Sequence, residues 1–205
     1  MMKIDIWSDF ACPFCYIGKR NMDNALKEYD GEVEIEFHSF LLDPNAKRSD
    51  VKPSESLGRK YGTTAEEGQK MIDRVVSMAK DVGLDYNYDE LIETNTLKAH
   101  KLLQYSKEEN KDKAIKEEIF KTHFIDGLDI GDDNVLLDIA TRLGLDEEKS
   151  LQALRSEVYE AKVDLDRYTA QQLEIKSVPF FVIDNKKGIQ GAQPKEAFLR
   201  VFEED

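Results

Sequence analysis

The chain has 205 residues, 40% of them apolar, enough for one large domain or for one domain carrying a sizeable insertion. Acidic residues outnumber basic ones by 42 to 29, a formal net charge of −13 that argues against a nucleic-acid partner and against adhesion to anionic membranes. No run approaches the roughly 18 apolar residues of a membrane span. Met1 to Phe10, with Asp5 and Asp9, lacks the basic start and apolar stretch of a secretory signal, so the expected compartment is the cytoplasm.

Lys3 to Trp7 is expected to form a short strand, with Ile4 and Ile6 on one face and Lys3, Asp5 and Trp7 on the other. A helix follows, with Cys12 at its N-cap and Pro13 at its first position, where a missing N–H costs nothing. Cys15, Gly18, Met22, Ala25, Leu26 and Tyr29 recur at helical spacing, and Asp30-Gly31 marks the end. Strict alternation from Glu32 to Phe37 predicts a half-exposed strand at a sheet edge, parallel to the first because a helix joins them.

From about Thr64 to Leu173 nearly everything has helical periodicity, punctuated by Gly83, Gly127, Gly131 and Gly144. The expected caps are Thr63 or Thr64, Asn95, Asn110, Asp133, Asp146 and Ser156. Strand character returns at Val178-Pro179-Phe180-Phe181-Val182-Ile183. A turn at Asp184 to Gly188, a short strand at Ile189-Gln190 and a last helix with Pro194 near its start follow. The order β-α-β, helical block, β-β-α predicts an α/β domain (1–44 plus 157–205) split by a helical insertion (45–156) after the second strand.

Cys12 and Cys15 are the only cysteines. In a reducing compartment such a pair is more often catalytic or metal-binding than structural. Half a zinc site is one alternative, but His38, His100 and His123 show no ligand-like spacing, and no metal is expected. An inert disulfide is another, although so short a loop stabilises little. At the start of a helix the two sulfurs lie on one side, within bonding reach. The unpaired N–H groups and positive partial charge there favour the thiolate of Cys12 as nucleophile, with Cys15 as resolving thiol. Val178-Pro179 is the second expected element. A cis proline would offer the backbone of the preceding residue to an extended substrate beside the sulfur; a trans proline opening a strand is the alternative.

Four segments carry a family resemblance: Ser8-Asp9-Phe10-Ala11-Cys12-Pro13-Phe14-Cys15, Asn95-Thr96-Leu97-Lys98-Ala99-His100, Ser177-Val178-Pro179-Phe180-Phe181-Val182 and Gly191-Ala192-Gln193-Pro194. Together they resemble the DsbA-like branch of the thioredoxin superfamily, in particular its cytosolic FrnE-like proteins, over nearly the whole chain. The resemblance implies a thioredoxin fold with a large all-helical insertion after the second strand, disulfide exchange at Cys12 and Cys15, and a cis peptide at Pro179. Phe14 departs from the family, since secreted DsbA enzymes usually have His there and many FrnE-like proteins Trp; this bears on the redox potential, not on the reaction type.

Pro13, Phe14, Val178 and Pro179 are thus candidate substrate-supporting residues. His100 is a candidate to face the catalytic groove, Asp9 (or Asp5) to accept a proton from Cys15 through water, and Trp7, Phe10 and Phe14 to form an apolar rim. The expected partners are disulfide-containing proteins or peptides and a cellular thiol reductant. No cofactor is expected beyond the redox pair, with glutathione as a candidate electron donor. A different enzyme class shares the architecture: kappa-class glutathione transferases and hydroxychromene carboxylate isomerases, which typically place Ser at the first motif position and use bound glutathione as the thiol.

Overall fold

The computed structural model describes residues 1–203. In chain order the elements are β1 (Met2–Ser8), α1 (Pro13–Leu26), β2 (Val33–Ser39), α2 (Pro53–Lys60), α3 (Ala65–Asp81), α4 (Leu97–Glu108), α5 (Asp112–Phe124), α6 (Asp133–Arg142), α7 (Glu147–Arg155), α8 (Glu157–Gln172), β3 (Phe180–Ile183), β4 (Lys187–Gln190) and α9 (Lys195–Glu203). The chain divides into two compact units: Met1–Leu42 together with the chain from Ala161 onward, and Asp43–Glu160. Among the described residues no helix is long and apolar enough to cross a membrane.

The first unit holds a four-stranded sheet in the order β2-β1-β3-β4. β1 pairs parallel with β2 and antiparallel with β3, and β3 pairs antiparallel with β4, so β2 does lie at an edge. Register sorts the two faces. Ile4 and Ile6 stand opposite Ile183 and Phe181 and beside Ile35 and Phe37. That apolar face lies under α1 and α9: Phe181 meets Phe198 edge-on at 4.9 Å, and Gly18 of α1 passes close to Phe181. Lys3, Asp5 and Trp7 point to the opposite face with Glu36 and His38. Over it runs α8, whose Asp166 carbonyl accepts a hydrogen bond from Trp7 Nε1 at 3.2 Å.

The second unit is built of helices and has an isolated bridge between Ser49 and Glu93. Its caps differ in places from the expected ones. Thr64 and Asp146 cap as anticipated, accepting from Glu67 and Lys149 N–H, while the Ser156 hydroxyl accepts from Val158 N–H. The cap of α6 is Asp132, not Asp133, because the Asp132 carboxylate takes the Asn134 N–H and Asp133 pairs instead with Lys98 Nζ. Thr96 occupies the cap position of α4, and Asn95, one residue earlier, accepts from Leu97 N–H while donating to the Pro44 and Ala46 carbonyls. Asn110 is the left-handed residue after α4 rather than the cap of α5.

Two further differences concern helix extent. α1 ends at Leu26, short of Asp30-Gly31, because the chain tightens: Glu28 and Tyr29 N–H donate to carbonyls three residues back, not four. The Tyr29 ring is fixed instead by Phe202, at 5.6 Å. α2 lies before the stretch with clear helical periodicity and was not expected; it opens on Pro53 and carries a Glu55–Arg59 pair one turn apart.

Candidate active site

Cys12 caps α1 with extended backbone (φ −94°, ψ 111°), and Pro13 occupies the first helical position. The turn is held by Cys12 N–H donating to the Asp9 carbonyl at 3.1 Å and Cys15 N–H to the Cys12 carbonyl at 3.0 Å. Both thiols are buried, Cys12 at 5% exposure and Cys15 at 2%. Phe14, between them, is 38% exposed. The fold presents both side chains from the N-terminal end of a helix, Cys12 at the cap and Cys15 in the first turn.

The Val178–Pro179 peptide is cis, and the Val178 carbonyl accepts the Cys12 thiol at 3.5 Å. Pro179 is anchored from the other side: its carbonyl accepts from Gly191 N–H at 2.8 Å, and Gln190 Nε2 donates to the Ser177 hydroxyl at 2.6 Å. Gly18 permits this approach. A Cβ there would stand 3.0 Å from Pro179 Cγ and 3.3 Å from the Ala192 Cα, closer than ordinary packing allows. Gly18→Val is therefore expected to lower stability by about 1–3 kcal/mol, the usual cost of overpacking, with a matching fall in the urea midpoint. An unchanged midpoint would show that the segment yields freely.

Asp9 is 1% exposed, and its two oxygens accept backbone N–H groups, from Ala11 at 3.3 Å and Leu42 at 2.8 Å. It closes the turn before α1 and ties down the segment after β2. The expected aromatic rim needs correction. Trp7 and Phe10 are 3% and 0% exposed: Trp7 stacks inside the α8 face and Phe10 joins the core, leaving Phe14 as the exposed aromatic of the motif. His100 is fully buried on α4, in the unit Asp43–Glu160, with its N–H donating to the Thr96 carbonyl.

A cluster that pattern reading missed lies on the α8 face of the sheet. His38 Nε2 is 2.8 Å from Asp5 Oδ1 and its Nδ1 2.9 Å from Asp166 Oδ1, while Ser39 N–H donates to Asp166 Oδ2 at 2.8 Å. The His38 ring stacks on Trp7 with centroids 4.3 Å apart. Carboxylates at both ring nitrogens are acceptors only, so the doubly protonated imidazolium is the form that satisfies them. Burial opposes that charge, but the hydrogen bonds to Asp166 and Asp5 and the charges of Asp166 and Glu36 outweigh it and hold the His38 pKa above its ordinary value.

Asp5, Glu36 and His38 could also offer ligand atoms within 4.8 Å of one another to a cation. Lys3 Nζ, however, lies 3.1 Å from Asp5 and 2.8 Å from Glu36, so an ammonium supplies the positive charge. The hydrogen bond to Glu36 contributes most to pushing the Lys3 pKa up to about 12.

Comparison with known proteins bears on the family and the fold. Residues 3–203 match the model of the DSBA-like thioredoxin domain. The chain is 27% identical over 209 residues to the uncharacterized protein YwbO of Bacillus subtilis (strain 168), covering all of this chain and 97% of that one. Among solved structures, a probable DsbA oxidoreductase from Streptomyces coelicolor is 35% identical with a TM-score of 0.92, over 98% of this chain and 88% of that one. The cytosolic disulfide reductase DsbM of Pseudomonas aeruginosa, solved with GSH, shares the fold at a TM-score of 0.70 and 16% identity, over 98% and 97% of the two chains. The family-model match over residues 3–203, with the 35% identity to the Streptomyces structure across nearly the full length, places the chain in the DSBA-like thioredoxin domain family of thiol oxidoreductases.

Proposed function

We propose that the protein reduces or isomerises disulfides in proteins and peptides through the Cys12–Cys15 dithiol. The observation that carries this reading is the placement of Cys12 at a helix N-terminus with its sulfur 3.5 Å from the carbonyl of the residue before a cis proline. The Cys12 thiolate attacks one sulfur of the substrate disulfide, forming a mixed disulfide and expelling the other sulfur as a thiolate, which takes up a proton. The Cys15 thiolate then attacks the Cys12 sulfur, closing the Cys12–Cys15 disulfide and releasing the second substrate thiolate. Two electrons pass to the substrate, and an external thiol returns the pair to the dithiol. In isomerisation a substrate thiol resolves the mixed disulfide instead, with no net electron transfer.

Glutathione is the proposed reductant and the cytoplasm the proposed compartment, a choice supported by the fold likeness to a cytosolic reductase solved with GSH. The competing reading is a glutathione-dependent isomerase of the hydroxychromene carboxylate type, since such an enzyme shares the fold at a TM-score of 0.69 and 15% identity. Cysteines at both ends of the motif favour dithiol chemistry. Insulin reduction, measured beside a glutathione-binding titration, separates the two. Tight glutathione binding without insulin reduction would move the assignment to the isomerase class.

Cys12 caps a helix N-terminus, and Phe14 between the cysteines brings neither charge nor imidazole. The reduction potential is therefore expected between those of DsbA and thioredoxin, about −120 and −270 mV. Equilibration in glutathione buffers measures it directly. A value at the DsbA end would indicate an oxidase.

A further inference from the structure

We propose that His38, clamped between Asp5 and Asp166, is a positioning residue for the dithiol site: it fixes α8 on the sheet and, through the end of that helix, holds the Val178 carbonyl where Cys12 and a substrate backbone meet it. The inference rests on the thiol–disulfide reading above and extends it to a residue with no place in the motif.

The route is continuous in the structure. On the α8 face His38 meets Asp5 from β1, Glu36 from β2 at 4.0 Å and Asp166 from α8, and Lys3 from β1 pairs with Asp5 and Glu36. β3 offers only Phe180 and Val182 on this face, opposite Trp7 and Asp5. Asp166 receives a ring nitrogen of His38 and the backbone N–H of Ser39 through its carboxylate, and the indole N–H of Trp7 through its carbonyl. One residue of α8 thereby joins both strands.

One turn later Ala170 is buried, and its carbonyl accepts from Ile175 N–H at 2.9 Å while Gln171 accepts from Glu174 N–H. Glu174 takes the left-handed conformation, φ 56°. These bonds form a capped helix end, which hands the position of α8 to Ile175, itself buried. Three residues on stands Val178. The segment has few ways to move independently: Ser177 is held by Gln190, and Pro179 by Gly191. The α8 end on one side and Gln190 and Gly191 on the other together set the Val178 carbonyl.

The clamp is strongest when His38 carries its proton, with both carboxylates facing a cation. Once His38 is neutral, one of its nitrogens faces a carboxylate with a lone pair, and that arm of the clamp is lost. Extended peptide substrates that use the Val178 backbone should register the change, whereas small aromatic disulfides should not.

The test uses the full-length protein, insulin as the polypeptide disulfide and dithiobis-nitrobenzoate as the small one. With wild-type protein the KM for insulin is expected to rise as pH passes upward through the His38 pKa, above 6.5, with kcat for the small disulfide following a smooth thiol profile across that step. His38→Gln and Asp166→Asn should each raise the KM for insulin roughly five- to tenfold at pH 6, leave kcat within about twofold, and abolish the pH step. If His38→Gln fails to fold, Asp166→Asn reads the same arm of the clamp, and the wild-type profile needs no variant at all. A wild-type protein that turns over both disulfides with a flat KM profile overturns this inference alone. A wild-type protein inactive on every disulfide overturns the oxidoreductase reading, and this inference falls with it.

Discussion

Cys12→Ser should abolish dithiol turnover, a loss on the order of 10³-fold or more in insulin reduction, because serine at the cap cannot form the mixed disulfide. Cys15→Ser should behave differently. Cys12 keeps its cap position and its neighbour Val178, so single attack survives while resolution is lost. That variant should accumulate mixed disulfides, visible as bands on non-reducing gels that vanish with reductant. Turnover fails in both variants; only trapping tells them apart. Mixed disulfides formed through Cys15 with Cys12 replaced would reverse the assignment of attacking and resolving thiols.

The second large effect concerns stability. Asp166→Ala removes the acceptor of one His38 nitrogen and of Ser39 N–H in a site where the His38 and Asp166 side chains are 12% and 13% exposed. Stripping one partner from a largely buried charged pair costs on the order of 3–5 kcal/mol. At about 2–4 °C per kcal/mol for a chain of this size, the melting temperature should fall by on the order of 10 °C. The pH dependence has a definite sign. The folded pKa of His38 lies above its unfolded value near 6.5, so the stability it contributes is complete below that value and lost as pH rises through the folded pKa. Urea unfolding of the wild type should therefore weaken over that window, and the curve for His38→Gln should lack the decline. Parallel curves would show that His38 gains nothing from its carboxylates.

Much of the first unit was legible in the residues. Alternation in β1 and β2 defined two faces, and the structure keeps them. Pro13 after Cys12 marked a helix start, because both residues act locally. The cis peptide at Val178 needed the family resemblance; spacing alone left trans open. The His38 clamp was not legible, for a physical reason: its partners Asp5 and Asp166 lie 33 and 128 residues away, and each alone looks like an ordinary strand or helix carboxylate. Trp7 and Phe10 misled because an aromatic beside a reactive turn can serve either the rim or the core, and only tertiary packing decides. The end of α1 shifted because a change from four-residue to three-residue hydrogen bonding leaves no trace in the pattern of apolar residues.

The borders of the sheet have a consequence of their own. β2 and β4 each leave a row of backbone donors and acceptors without a neighbouring strand of this sheet, the kind of template on which stray chains add and aggregates grow. β2 carries Glu34 and Glu36, so two copies meeting along it in antiparallel fashion would bring acid toward acid. β4 is only four residues long, joined to β3 by a tight turn at Asp184 and Asn185, both left-handed. A protein proposed to work on misoxidised, partly unfolded polypeptides would meet exposed strands constantly. Its own margins are poor places for them to stick, so contact with such chains can stay confined to the sulfur and its proline-bearing neighbour.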